Sequence, residues 1–279
     1  MSEATRLTRC PDKGRQMGLF GHARVGRAAL LACGMAWFAL VPRATAEPLT
    51  VPAPLALTLD SGEPFALAAS PIYSGGLLTK WQGVAHKLDD ERVQLALCDG
   101  DRERCVSDAA LKFLAIVDTG RQREGRARLG EINRAINLAI RPVEDIVQYG
   151  VIDFWSSPLV TFYHGAGDCE DYAIAKYVAL RMAGIAAEDL RIVVMMDTLR
   201  HEGHAVAAVR LDGHWLILDN RRMAMVEDVN LRNYRPLFVI DDAGVMKYSD
   251  MPLLASMPEP APAPAAALNV GPGLIGASN

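Results

Sequence analysis

Cys169 stands in the run GAGDCEDY (165–172), directly ahead of apolar residues at helical spacing: Ala173, Ile174, Tyr177 and Val178. A thiol that opens a helix feels the positive end of the helix dipole and the unbonded backbone N–H groups of the first turn. Both stabilise the thiolate, the nucleophilic form. The same N–H groups can hold the oxyanion of a tetrahedral intermediate. Gly165 and Gly167 let the chain turn sharply ahead of the helix and keep the sulfur exposed. Cysteine is also an ordinary core residue, so the position acquires chemistry only if a base comes with it.

The base comes from a hairpin. Residues 204–211 (HAVAAVRL) and 214–219 (HWLILD) read as strands, and Asp212-Gly213 between them is a strong two-residue turn signal. That turn sets Leu211 opposite His214 and, counting outward, Val206 opposite Asp219. Side chains alternate along a strand, so His204, Val206 and Ala208 share one face with Asp219. His204 and Asp219 are then diagonal neighbours, roughly 7–8 Å apart at Cα. A carboxylate at that distance can fix the imidazole tautomer and stabilise its charged form. The same count puts His214 on the opposite face. His201 falls in the polar loop before the strand, and His86 and His164 have no carboxylate at matching geometry.

Asp168, Glu170 and Asp171 surround the cysteine. Negative charge raises a thiol pKa, so they need a role of their own. Acidic residues in a first turn meet the helix dipole. They are also hard oxygen ligands suited to calcium, which would offset their charge. The spacing is not that of an EF-hand. The chain has no Gly-rich phosphate loop and no Cys/His pairs at zinc spacing. Trp155 and Trp215 read as core or cleft-wall residues.

The elements that must position these groups follow from periodicity. Helices are expected over 77–88, from an N-cap at Ser107 to about Thr119, over 129–140, and over Cys169–Met182 with Gly184 closing it. Strands are expected at 190–196, in the hairpin, and at 237–240. Helices first and antiparallel strands later make an α+β domain, placed at 72–250. Residues 47–71, rich in Pro, Ala and Leu, read as an extended lead-in, and the Pro/Ala-rich 251–279 as a disordered tail. With 51% hydrophobic and 22% charged residues, the chain can bury a core without cross-links.

Residues 1–46 read as a signal peptide. Arg24 and Arg27 precede the uncharged run 28–41, and Ala44-Thr45-Ala46 marks cleavage before Glu47. The run is short for a membrane span of about 20 residues. Removing the segment takes the net charge from −4 to about −9, which argues against a nucleic-acid partner. It also removes Cys10 and Cys33. Of the remaining three cysteines, Cys98 and Cys105 suit a disulfide in an oxidising compartment, with Cys169 as the odd one.

The runs GAGDCEDYAIAKYVALRMAGI, GHAVAAVR and WLILDN carry a resemblance that is specific in three ordered blocks: Asp153–Gly184, His204–Arg210 and Leu216–Asn220. Together they resemble the bacterial transglutaminase-like cysteine peptidases, which include the LapG-type periplasmic adhesin proteases. The likeness extends in layout over about residues 72–242. It implies a papain-like fold with a Cys169, His204, Asp219 triad, and calcium held by Asp168, Glu170 and possibly Asp171. It further implies a periplasmic peptidase whose substrate is a protein, such as a large surface adhesin in biofilm formation. An inner-membrane receptor for cyclic diguanylate is the implied regulator. The Cys98/Cys105 pair, the polar insert before His204 and the long tail depart from that type, which weakens the adhesin and receptor expectations most. Two other functions stay open on the residues: amine transfer through the same thioester, and a non-catalytic calcium-responsive binding module.

Overall fold

The computed structural model describes residues 62–249. The expected signal peptide, most of the lead-in and the Pro/Ala-rich tail lie outside the described residues.

The helical half comes first. α1 (Gly76–Gly100) is followed by α2 (Asp108–Arg121) and α3 (Gly125–Ala139). Ser107 caps α2 as its type predicts, accepting from the Ala110 amide at 3.2 Å. α1 runs well past the expected 88. Its last turn carries Cys98, which is joined to Cys105 by a disulfide that closes the turn into α2. Two short helices, α4 (Asp145–Gln148) and α5 (Pro158–His164), lead to α6 (Cys169–Met182).

The sheet has seven antiparallel strands in the order β1-β9-β8-β4-β5-β6-β7. Their ranges are β1 Ala69–Pro71, β4 Leu190–Asp197, β5 Glu202–Leu211, β6 His214–Leu218, β7 Val226–Glu227, β8 Tyr234–Asp241 and β9 Gly244–Tyr248. Apart from it, β2 (Arg141–Pro142) pairs in parallel with β3 (Ala166–Gly167), just ahead of α6. Asp212 and Gly213 both have positive φ, as a two-residue hairpin turn requires.

Both faces of the sheet are covered. Ile192, Val194, Ala205, Ala207, Val209, Leu216 and Leu218 belong to the main core with α6, α2 and α3. The intervening Val193, Met195, Val206, Ala208, Trp215 and Ile217 belong to a smaller cluster, closed by Phe65, Leu67, Leu231 and Tyr234. Two-sided burial explains why β4 is a continuous apolar run rather than an alternating one. Residues 62–71, expected in the lead-in, are part of the packed unit. They supply β1, and Glu63 pairs with the Arg191 guanidinium at 2.7 and 2.8 Å. α6 is buried on nearly every side, with Glu170, Asp171 and Lys176 among its buried residues.

Candidate active site

Cys169 is the first residue of α6, after an extended Asp168 at the N-cap. Its side chain is buried, at 1% exposure, where the sequence suggested an exposed sulfur. One of its contacts comes from the hairpin. Strand β6 ends at Leu218, whose partner is Ala207. Two residues further out, Ala205 has no β6 residue left to receive its amide. That N–H instead meets the Cys169 sulfur, at 3.4 Å. The nucleophile position therefore sits where the next strand pair would have been, with an N–H donor suited to a thiolate. The sulfur also lies 3.3 Å from Glu170 Oε2.

His204 precedes Ala205 and is fully buried. Its Nε2 lies 2.9 Å from Asp219 Oδ1. The register Leu211–His214 and Ala207–Leu218 is the one the turn predicts, so the diagonal neighbours meet. Tyr234 stacks at a tilt beside the His204 ring, 6.0 Å between centroids. Asp219 Oδ1 also accepts from the Arg221 amide at 3.0 Å, and its backbone carbonyl accepts from Asn137 Nδ2 at 2.9 Å. Burial works against ionising Asp219. The charge and hydrogen bond of His204, with the Arg221 amide and the Lys176 charge, outweigh burial and hold the carboxyl well below its usual range. An ionised carboxylate only accepts hydrogen bonds. His204 Nε2 must therefore donate, which leaves Nδ1 as the basic nitrogen.

The other described histidines, His86, His164, His201 and His214, are all exposed. Trp155 and Trp215 are core residues, the latter flanked by the Arg191 and Arg210 guanidiniums.

Beside the cysteine lies an acidic cluster whose membership differs from the one the sequence suggested. Ligand atoms of Asp145, Asp168 and Glu170 lie within 4.8 Å of one another. Asp171, expected with them, turns Oδ1 to the Ser156 amide at 2.8 Å. It folds back so closely on Gly167 that a Cβ there would stand 2.5 Å from Asp171 Oδ2. Asp145 is the residue sequence reasoning missed. It arrives through the two-residue pairing of β2 with β3, which has no periodic signature.

The electrostatics of the cluster are unfavourable as it stands. Burial first, and then neighbouring carboxylates, push Asp145 up to about 6 and Asp171 up to about 7. Asp168 rises to about 9, and Glu170 rises well above its usual range for the same reasons. Asp145 Oδ1, Asp168 Oδ1, Glu170 Oε1 and Asp171 Oδ2 are buried with no hydrogen-bond partner. Oxygens bound to one calcium at 2.3–2.6 Å can be at most about 5 Å apart. An all-oxygen, anionic and unsatisfied set within that span fits a hard cation.

Over residues 94–240 the chain matches a family model described as bacterial transglutaminase-like cysteine proteinase. No curated protein matches its sequence. Three solved structures of LapG from Legionella pneumophila are similar in fold. One is 21% identical, covering 56% of this chain and 86% of that one, with a TM-score of 0.47. The calcium-bound form is 23% identical over 50% and 77%, with a TM-score of 0.45. The EGTA-treated form is 20% identical over 57% and 86%, with a TM-score of 0.48.

Proposed function

We propose, for a chain that belongs to the bacterial transglutaminase-like cysteine proteinases and is a cysteine peptidase, that Cys169 is the nucleophile, His204 the acid–base group and Asp219 its orienting carboxylate. The observation that carries this reading is the sulfur seated on the Ala205 amide, one residue from a histidine whose Nε2 is held by a buried carboxylate.

The chemistry follows from those positions. The Cys169 thiolate attacks a peptide carbonyl, and the Ala205 amide and the first-turn N–H groups of α6 are the nearby donors. As the C–N bond breaks, His204 gives a proton to the leaving amine and a thioester remains on Cys169. His204 then takes a proton from water, which displaces the sulfur and releases the acid. Asp219 keeps the imidazole in one tautomer through both steps and stabilises its charged form.

Asp145, Asp168 and Glu170, with Asp171 beside them, would hold a calcium ion. Bound there, calcium supplies the positive charge that lets these carboxylates ionise next to a thiolate. Export through residues 1–46 to the periplasm is part of the same proposal, supported by the uncharged run 28–41 and by the Cys98–Cys105 disulfide. The protein substrate then lies outside the cytoplasm. The resemblance to LapG-type proteases extends the proposal to a large surface adhesin as substrate and a cyclic-diguanylate receptor in the inner membrane as regulator.

The test compares the surface and secreted proteomes of cells carrying the native chain or Cys169→Ala. The variant should spare a surface protein that the native chain cleaves. Unchanged cleavage by a folded Cys169→Ala protein refutes the assignment of the nucleophile.

A further inference from the structure

One residue of α6 is not called for by its packing. Lys176 lies two turns beyond Cys169 and is fully buried. Its neighbours on the helix, Ala173, Tyr177, Ala179 and Leu180, are core residues. A leucine or methionine there would bury similar carbon without dehydrating an ammonium, one of the costlier burials in a protein. Lysine is almost never fully buried unless its charge is engaged.

The engagement is specific. Lys176 Nζ donates to the carbonyl of Leu218 at 3.2 Å and stands 5.8 Å from the centre of the Tyr172 ring. Leu218 is the last residue of β6, and its carbonyl belongs to the peptide unit that leads into Asp219. Asp219 is therefore fixed from three directions. Lys176 holds the peptide before it, Asn137 of α3 holds its own carbonyl, and the Arg221 amide meets its carboxylate. Of these anchors, Lys176 is carried on the helix that begins with Cys169.

We propose that Lys176 is a positioning residue for the acid–base pair: it ties the Leu218–Asp219 peptide to α6, so that the Asp219 carboxylate holds the His204 ring in register with the Cys169 sulfur. The proposal rests on the reading of His204 and Asp219 as base and orienting acid. Lys176 touches neither substrate nor reacting atoms and acts through Asp219. Its charge also favours the ionised form of that carboxylate, which is the form that compels Nε2 of His204 to keep its proton.

The test uses Lys176→Met, which keeps the length of the side chain and removes donor and charge. Nitrogen-15 NMR of histidine-labelled protein, at a pH where the ring is neutral, reads the His204 tautomer. The native chain should show one tautomer, protonated at Nε2. Lys176→Met should show a mixture approaching that of Asp219→Ala. On the protein spared by Cys169→Ala, it should lower kcat about 100-fold with KM little changed. A folded Lys176→Met protein that keeps the single tautomer and its kcat, with only a lower Tm, overturns the proposal. If instead Asp219→Ala keeps the native tautomer and activity, the triad reading itself fails. Should Lys176→Met not fold, nitrogen-15 NMR of the native lysine decides. The Lys176 side-chain protons must be slow to exchange and bonded to the Leu218 carbonyl at the assay pH, and a side chain in fast exchange without that bond overturns the proposal.

Discussion

Withdrawing calcium should make the protein's stability fall as pH rises, in a window where most proteins are near their optimum. Asp171 shows the size of the effect. Its pKa is about 7 in the folded chain against an ordinary 3.8, chiefly because it is buried. With a raised folded pKa, the native state binds more protons than the unfolded one. This contribution to stability is complete below pH 3.8 and is lost as pH rises through 7. Between pH 5 and pH 8 the loss is on the order of 3 kcal/mol for this one group. At about 2–4 °C per kcal/mol for a domain of this size, Tm should drop by on the order of 10 °C. Asp168 and Glu170 shift in the same direction and deepen the fall. Asp219 shifts the other way, but its contribution is lost only below 3.8, outside the window. Calcium should remove most of the fall, since it replaces the protons and binds better as the carboxylates ionise. A free concentration of 100 times Kd adds about 2.7 kcal/mol. Glu91, buried on α1 and also shifted upward, leaves a residual slope in both conditions. The assay is thermal unfolding from pH 5 to pH 8, in EGTA and in excess calcium. A Tm in EGTA that is flat or rises across the window, or one that calcium does not move, refutes the cluster as a cation site.

Three further outcomes are expected. Asp145→Asn should weaken calcium binding by on the order of tenfold or more in titration calorimetry, because one ligand charge is lost; unchanged affinity would remove Asp145 from the site. Gly167→Ala should destabilise by about 1–3 kcal/mol in denaturant unfolding, since its Cβ would stand 2.5 Å from Asp171 Oδ2 and must displace that side chain. Replacing Cys98 and Cys105 by serine opens a loop with a sequence separation of 7 and should cost about 2 kcal/mol. It should leave the rate of cleavage unchanged, and a lost rate at a temperature where the variant is folded would tie that loop to the site.

Much of this arrangement is legible in the sequence because it is local. A two-residue turn at Asp212-Gly213 fixes a register, and a fixed register brings His204 to Asp219 by counting. The α6 boundaries follow from a run of apolar residues ahead of Gly184. What counting misses is what depends on distant or very short pairings. Asp145 reaches Asp168 and Glu170 through two residues of parallel ladder, too few for a periodic pattern. α1 extends to Gly100 through DDERVQ, a stretch with little amphipathic contrast because it is mostly exposed. The contact of the Cys169 sulfur with the Ala205 amide depends on where β6 stops relative to β5, a difference between two strand lengths that neither strand displays alone.

That mismatch gives the hairpin tip an unusual status. Asp212 and Gly213 are exposed and touch nothing in the site, and such tips are ordinarily where chains accept insertions most freely. Here the tip works as a ruler. Adding one residue to either arm would turn Asp219 to the other face of the sheet from His204. Adding two to β6 would carry the ladder across the Ala205 amide and occupy the niche that now receives the sulfur. A surface turn with no chemistry of its own is thereby held to a fixed length by a sulfur niche at Ala205, six positions along β5 from the pair that flanks the turn.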